Sequence, residues 1–216
     1  MNSKLISSNE EILKQSIKYL PILERLSERK TDLQKHGLYQ YQNALTAICM
    51  LVEAGIFDNQ ISLQNIFDGL QAFYWPGRFQ LIESQRLIID AAHNAAGAKA
   101  LRDSLDYLFP GQRFHFIFAC YEDKDGLSML SNLLKSRDFL YLADPPRGKR
   151  SYFSLSELTK HATLLGTKVS AYDTVSESLT QAIRDRTDDE YIVVCGSFSL
   201  LKTIMQILGW ATVDDK

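Results

Sequence analysis

The chain has 216 residues, 45% of them hydrophobic and 23% charged, with a formal net charge of -2. That length buries a sizeable core in one large or two small domains, and the near-neutral charge excludes the basic footprint of a nucleic-acid-binding surface. The opening MNSKLISSNEEILK is broken by acids and holds no signal-peptide core, and no apolar run approaches membrane-spanning length. The sequence therefore reads as cytoplasmic, with no nucleic-acid and no membrane partner. Three cysteines, Cys49, Cys120 and Cys195, form no CxxC and carry no metal-site spacing; they read as small buried hydrophobes.

Residues 1–70 carry helical periodicity almost throughout. Ser8 and Glu11 form a capping box before Ile12, Leu13, Ile17 and Leu20; Pro21 restarts the chain, and Leu23 and Leu26 continue an apolar face. A second helix is predicted over 42–53, where Ala44, Ala47, Ile48, Leu51 and Val52 recur at helical spacing until Gly55. A third, over 63–73, takes Ser62 as its cap and ends before Pro76-Gly77.

From Phe79 the pattern changes to short strands alternating with amphipathic helices. Strands are predicted over 79–83, 87–91, 114–119, 139–143, 169–172 and 191–195, and helices over 94–108, 126–134, 154–165, 175–186 and 197–208. The expected fold is α/β, a mostly parallel six-stranded sheet flanked by helices over 75–216, preceded by the helical segment 1–74.

In open α/β sheets ligands sit beyond the carboxyl ends of the strands. There the sequence places Asp90, His93 and Asn94, then Asp123-Lys124-Asp125, then Gly196-Ser197, and the cationic loop Asp144 to Arg150. Gly196-Ser197 at a helix start offers N–H groups to an anion, and serves equally as a plain helix cap. His93, taken alone, is more often structural than catalytic, and both the Asp123 turn and the Arg147, Lys149, Arg150 loop read as solvated surface. The chain contains no GxxxxGK[ST], GxGxxG or GxSxG, so triphosphate-cradle, dinucleotide and hydrolase-elbow readings have no fingerprint.

"WPGRF" (75–79), "LIIDAAHN" (87–94), "DKD" (123–125) and "CGSFS" (195–199), with "GLYQYQNALTA" (37–47) upstream, resemble in order and separation the C-terminal domain and central-domain end of folylpolyglutamate synthase/dihydrofolate synthase. The resemblance implies a Rossmann-like domain of the Mur ligase type. It also implies an ATP-dependent amide ligase that joins L-glutamate to folate or dihydropteroate through an acyl phosphate, with ATP and Mg2+ held mainly by an N-terminal P-loop domain. On this resemblance Asn43 and Arg78 contact ATP, Asp90 accepts the ribose hydroxyls, His93 lies at the reacting groups, and Ser197 and Lys124 help bind glutamate.

Ala91 and Ala95 stand where the family has glycine and proline, Tyr39 where it commonly has histidine, and Ser199 where it has tyrosine, so an aromatic hydroxyl is expected to be missing near the ligand. Residues 1–36 do not resemble the P-loop domain. The expectation is that the chain does not turn over alone: it is a fragment of a longer ligase, has lost its ATP-phosphate machinery, or draws on a separate P-loop domain, and a structural reading has residues 1–36 mediating self-association. The alternative is a non-catalytic nucleotide- or folate-binding module derived from such a ligase.

Overall fold

The computed structural model describes residues 36–54, 62–72, 75–146, 148 and 150–210, with Glu24 and Ser27. The Ser8–Glu11 box and the apolar face through Leu26 lie outside the described residues, as do Arg147 and Lys149. The chain divides into two compact units, Met1–Trp75 and Pro76–Lys216.

In the first unit, α1 spans Leu38–Glu53 and α2 spans Leu63–Ala72. α1 starts four residues before the predicted 42, directly after Gly37, whose φ of 99° ends the preceding turn and whose carbonyl accepts from the Gln40 N–H at 3.0 Å. Its buried face is Tyr41, Ala44, Leu45 and Ile48, an i, i+3, i+4, i+7 set. Ala47, expected on that face, is exposed, because Tyr41 and Leu45 rotate the apolar stripe away from it. α2 is capped by Ser62, whose Oγ accepts from the Asn65 N–H while Asn65 Oδ1 accepts from the Ser62 N–H.

The second unit runs β1 (Gln80–Ile82), a 3-10 turn (Glu83–Gln85), β2 (Leu87–Ile89), α3 (Ala95–Leu108), β3 (Phe114–Phe118), α4 (Gly126–Leu133), β4 (Phe139–Leu142), α5 (Leu155–Leu164), β5 (Lys168–Ala171), α6 (Val175–Asp185), β6 (Tyr191–Cys195) and α7 (Phe198–Ile207). The sheet order is β1-β2-β6-β3-β4-β5, with β1 antiparallel to β2 and every other neighbour parallel. β1 is shorter than the predicted 79–83, since Phe79 sits at φ 44° and Glu83 opens the 3-10 turn. Helices α3 to α7 each start at a side-chain cap: Asn94, Asp125, Ser154, Thr174 and Ser197.

Alternation along the strands builds two apolar layers. Leu87, Ile89, Ile117, Tyr141, Ile192 and Val194 pack with Val175, Leu179 and Ala182 of α6 and Leu200, Leu201 and Ile204 of α7. The opposite parity, Ile88, Phe114, Phe116, Phe118, Leu140, Leu142 and Val193, is equally buried and faces α3, α4 and α5, which pack side by side. Each such side chain removed from water contributes about 1.5–3 kcal/mol.

β6 is the last strand, yet it lies between β2 and β3. The helices that leave β2 and β6, α3 and α7, therefore depart to opposite faces from adjacent strands. That is the geometry of a topological switch point, where a crevice opens beyond the carboxyl ends.

Candidate functional site

Beyond β2 the backbone is tied down from several sides. The buried carboxylate of Asp90 accepts from the Phe79 N–H at 2.8 Å through Oδ2 and from the Ala92 N–H at 2.8 Å through Oδ1. The Ala91 N–H donates to the Gly77 carbonyl at 2.7 Å, and the Gly196 N–H donates to the Ala92 carbonyl at 2.9 Å. Asp90 thus locks the Pro76–Phe79 turn to the β2–α3 loop, and Gly196 locks that loop to the end of β6.

The lock has steric conditions. Phe79 is fully buried at a φ of 44°, a conformation uncommon for a bulky residue and held here by its N–H bond to Asp90. Gly196 has a φ of 113°, and a Cβ there would come within 2.5 Å of the Ala119 carbonyl oxygen and 2.9 Å of the Phe118 ring.

Arg78 and His93 face outward from this scaffold. His93 Nδ1 lies 2.9 Å from the Ala91 carbonyl; since a carbonyl only accepts, Nδ1 carries the hydrogen, and Nε2 makes no hydrogen bond among the described residues. The His93 ring centroid is 5.8 Å from that of Phe198, and the Arg78 guanidinium carbon is 5.9 Å from the same ring. Among the described residues no carboxylate pairs with Arg78.

Ser197 is 1% exposed, and its hydroxyl accepts from the Leu200 N–H at 3.2 Å. Of the two readings open for it, the structure realises the helix cap. Asn43 belongs to the first unit; it is exposed on α1 and donates to Gln40 Oε1 at 3.1 Å.

The loop after β3 carries Lys124, whose ammonium lies 3.2 Å from Asp123 Oδ2, while Arg150 holds Asp123 Oδ1 at 2.5 Å. The hydrogen bond from Lys124, followed by that from Arg150, keeps the Asp123 carboxyl below the usual carboxylate range. Arg150 is exposed, as expected of solvated surface; its guanidinium also lies 3.8 Å above the Tyr121 ring, which itself stacks on Tyr152 at 5.0 Å. An isolated antiparallel bridge pairs Tyr121 with Tyr152, so the loop after β4 folds back over the loop after β3. Burial, with the nearby Tyr121 hydroxyl acting against the Ser199 bond, raises the Tyr152 phenol.

The Tyr121 hydroxyl hydrogen-bonds Ser199. An aromatic hydroxyl from the loop after β3 therefore meets the side chain of Ser199. Sequence reading missed Tyr121, Tyr152 and Phe198; an aromatic at the end of β3, written Ala119-Cys120-Tyr121 before the acidic turn, is the only signal that pointed to the first. Cys120 and Cys195 are free and buried; burial pushes the Cys120 thiol up to about 12 and the Cys195 thiol well up, which makes both poor nucleophiles. Among the described residues no group of three or more His, Cys, Asp or Glu side chains forms a metal cradle, and no helix is long and apolar enough to cross a membrane.

Residues 77–198 match the family model of the Mur ligase, glutamate ligase domain. The folylpolyglutamate synthase of Lacticaseibacillus casei is 32% identical over 186 residues, 85% of this chain and 41% of that protein. Escherichia coli FolC in complex with DHPP and ADP superposes with a TM-score of 0.66 at 30% identity, over 77% of this chain and 38% of that one. The bifunctional folylpolyglutamate synthase/dihydrofolate synthase of Yersinia pestis complexed with AMPPNP and Mn ion gives 0.61 at 31%, over 70% and 36%. The chain spans about two fifths of the length of these proteins. With its six-stranded, mostly parallel sheet between two helical layers, the chain belongs to the Mur ligase family, as that family's Rossmann-like glutamate ligase domain.

Proposed function

We propose that this chain is the nucleotide-closing, amino-acid-receiving part of an ATP-dependent ligase that adds L-glutamate to folate or dihydropteroate, working in the cytoplasm with a P-loop domain. One observation carries the reading: at the switch-point crevice an arginine lacking a carboxylate partner among the described residues and a histidine whose Nε2 makes no hydrogen bond among them converge on one exposed ring. That crevice also receives the N-terminal, positive ends of α3 and α7. A cation with two helix dipoles suits the phosphates of a nucleotide.

Arg78, a cation without a carboxylate partner among the described residues, suits an ATP phosphate contact, and His93, against the same ring, suits a place beside the reacting groups. ATP, when bound, supplies the phosphoryl group that activates the folate or dihydropteroate carboxylate. Asp90, buried and accepting from the Phe79 and Ala92 amides, is proposed as the ribose contact on the family resemblance. Lys124, held by Asp123, is the cation for a glutamate carboxylate; Ser197 acts by shaping the α7 start. Mg2+ is proposed to be held mainly by the P-loop domain, on the family resemblance.

Calorimetric titration of ADP into the chain tests the reading. Arg78→Ala is expected to weaken binding by about tenfold, the worth of a charge-assisted hydrogen bond. Unchanged ADP affinity in that variant sinks the phosphate assignment. Glutamate-dependent ADP release on mixing with a P-loop domain from the same source supports the ligase; ADP binding with no release in any pairing leaves the nucleotide-binding module instead.

A further inference from the structure

Phe198 is the first residue of α7 and remains 54% exposed, although the helix buries Leu200, Leu201 and Ile204 fully or nearly so. Nothing in the packing of the layer requires an aromatic ring there. Its described contacts are functional groups of two other segments: the Arg78 guanidinium at 5.9 Å from the turn before β1, and the His93 imidazole at 5.8 Å from the β2–α3 loop, tilted by 40°.

We propose that Phe198 is a positioning residue, whose ring gathers Arg78 and His93 into one register facing a shared anionic ligand; this rests on the nucleotide reading above. An arginine without a carboxylate partner on a half-buried stem samples many rotamers, and ordering it on binding costs affinity. The negative face of an aromatic ring attracts a guanidinium without neutralising its charge. A carboxylate in the same place would order Arg78 equally well but would compete with the incoming phosphate. A ring therefore pre-orders the cation while leaving its charge for the ligand.

The same ring limits the tilt of His93, whose other constraint is the bond from Nδ1 to Ala91. Both rotatable groups are thus steadied by one side chain, whose backbone is set by the Ser197 cap at the start of α7.

The experiment compares the full chain with Phe198→Leu, which keeps apolar bulk and removes the ring, and with Phe198→Tyr, which keeps the ring. The 15N relaxation of the Arg78 Nε–Hε group reads the effect without any ligand. It is expected to be ordered in the parent and in Phe198→Tyr, and to fall to the level of the exposed Arg184 in Phe198→Leu. Equal order in all three overturns the proposal.

ADP titration then reads the consequence. Phe198→Leu is expected to weaken binding by about threefold, and this loss should shrink when Arg78 is already alanine. The same loss in both backgrounds means that Phe198 touches the ligand rather than acting through Arg78, and overturns the positioning role. If the parent chain binds no ADP, the nucleotide reading fails, and the order of Arg78 still decides the role of Phe198.

Discussion

The two ends of the sheet treat polar side chains in opposite ways. At the amino ends, side chains answer side chains. Arg102 of α3, nearly buried, pairs with Asp138 at 2.8 Å and Asp106 at 2.5 Å, and Asp138 also accepts from the Phe114 and Lys135 N–H groups. His115, fully buried, is held at Nε2 by Glu190 and at Nδ1 by the Tyr141 hydroxyl, which donates in turn to Asp185. At the carboxyl ends of β2 and β6, the backbone does the answering: Asp90 accepts from the amides of Phe79 and Ala92, His93 donates to the Ala91 carbonyl, and Ser197 accepts from the Leu200 amide. The first arrangement closes on itself and serves the fold. The second uses up main-chain groups and turns Arg78 and Phe198 outward, which is how a scaffold keeps charge available for a ligand.

If that contrast holds, the largest stability loss comes from the amino end and leaves binding alone. Arg102→Ala strands Asp138, whose side chain has no exposure, and is expected to cost about 3–5 kcal/mol. Urea unfolding measures it, and ADP affinity of the folded fraction should stay at the parent value. A comparable fall in affinity breaks the division between the two ends.

Gly196→Ala is the carboxyl-end counterpart. Its Cβ meets the Ala119 carbonyl oxygen and the Phe118 ring at distances that real Cβ atoms do not tolerate, in a backbone conformation that favours glycine. The expected loss is about 2–3 kcal/mol. Unlike Arg102→Ala, this variant should also lower ADP affinity, because Gly196 fixes the loop that carries His93. Stability loss with full affinity would show that the lock is not needed by the site.

A pH series sharpens the same contrast. Burial alone would raise the Glu190 carboxyl, but the Thr187 N–H bond and His115 outweigh it and hold it below its ordinary value. A group lowered in this way contributes stability above its unfolded pKa, and the contribution is lost as pH falls through the folded one. The Tm gap between the parent and Glu190→Gln should therefore be widest near about pH 7 and close towards about pH 3. A constant gap assigns the loss to packing instead of charge.

Much of this was legible in the letters, and the limits are physical. Strand and helix order followed from alternating periodicities, and Asn94 and Ser197 were readable as caps because a short polar residue before an apolar run has few other uses. Asp90 was readable as a site residue from its place at a strand end, but its partners were not. Two backbone amides eleven residues back and two ahead are brought to it by the β1–β2 hairpin, which no local pattern records. Arg150 and Tyr121 meet only because the loop after β4 folds back. Such a contact between loops depends on topology, so single-segment propensities see just a charged turn.

The smallest effect bears on the α7 start, where cap and ligand readings of Ser197 were both open. Ser197→Ala should cost about 1 kcal/mol, the usual worth of a cap. Ser197→Asp keeps an oxygen for the Leu200 N–H, and aspartate caps as well as serine, so stability should return to within about 0.5 kcal/mol of the parent. The two readings part on binding. Aspartate places a fixed negative charge at the positive end of α7, next to Phe198 and its two guests. If that helix end faces an anion, Ser197→Asp binds ADP or glutamate more weakly than Ser197→Ala despite being the more stable protein. If affinity instead tracks stability across the pair, α7 serves the fold here as the amino-end network does, and the outward half of the contrast reduces to Arg78, His93 and Lys124.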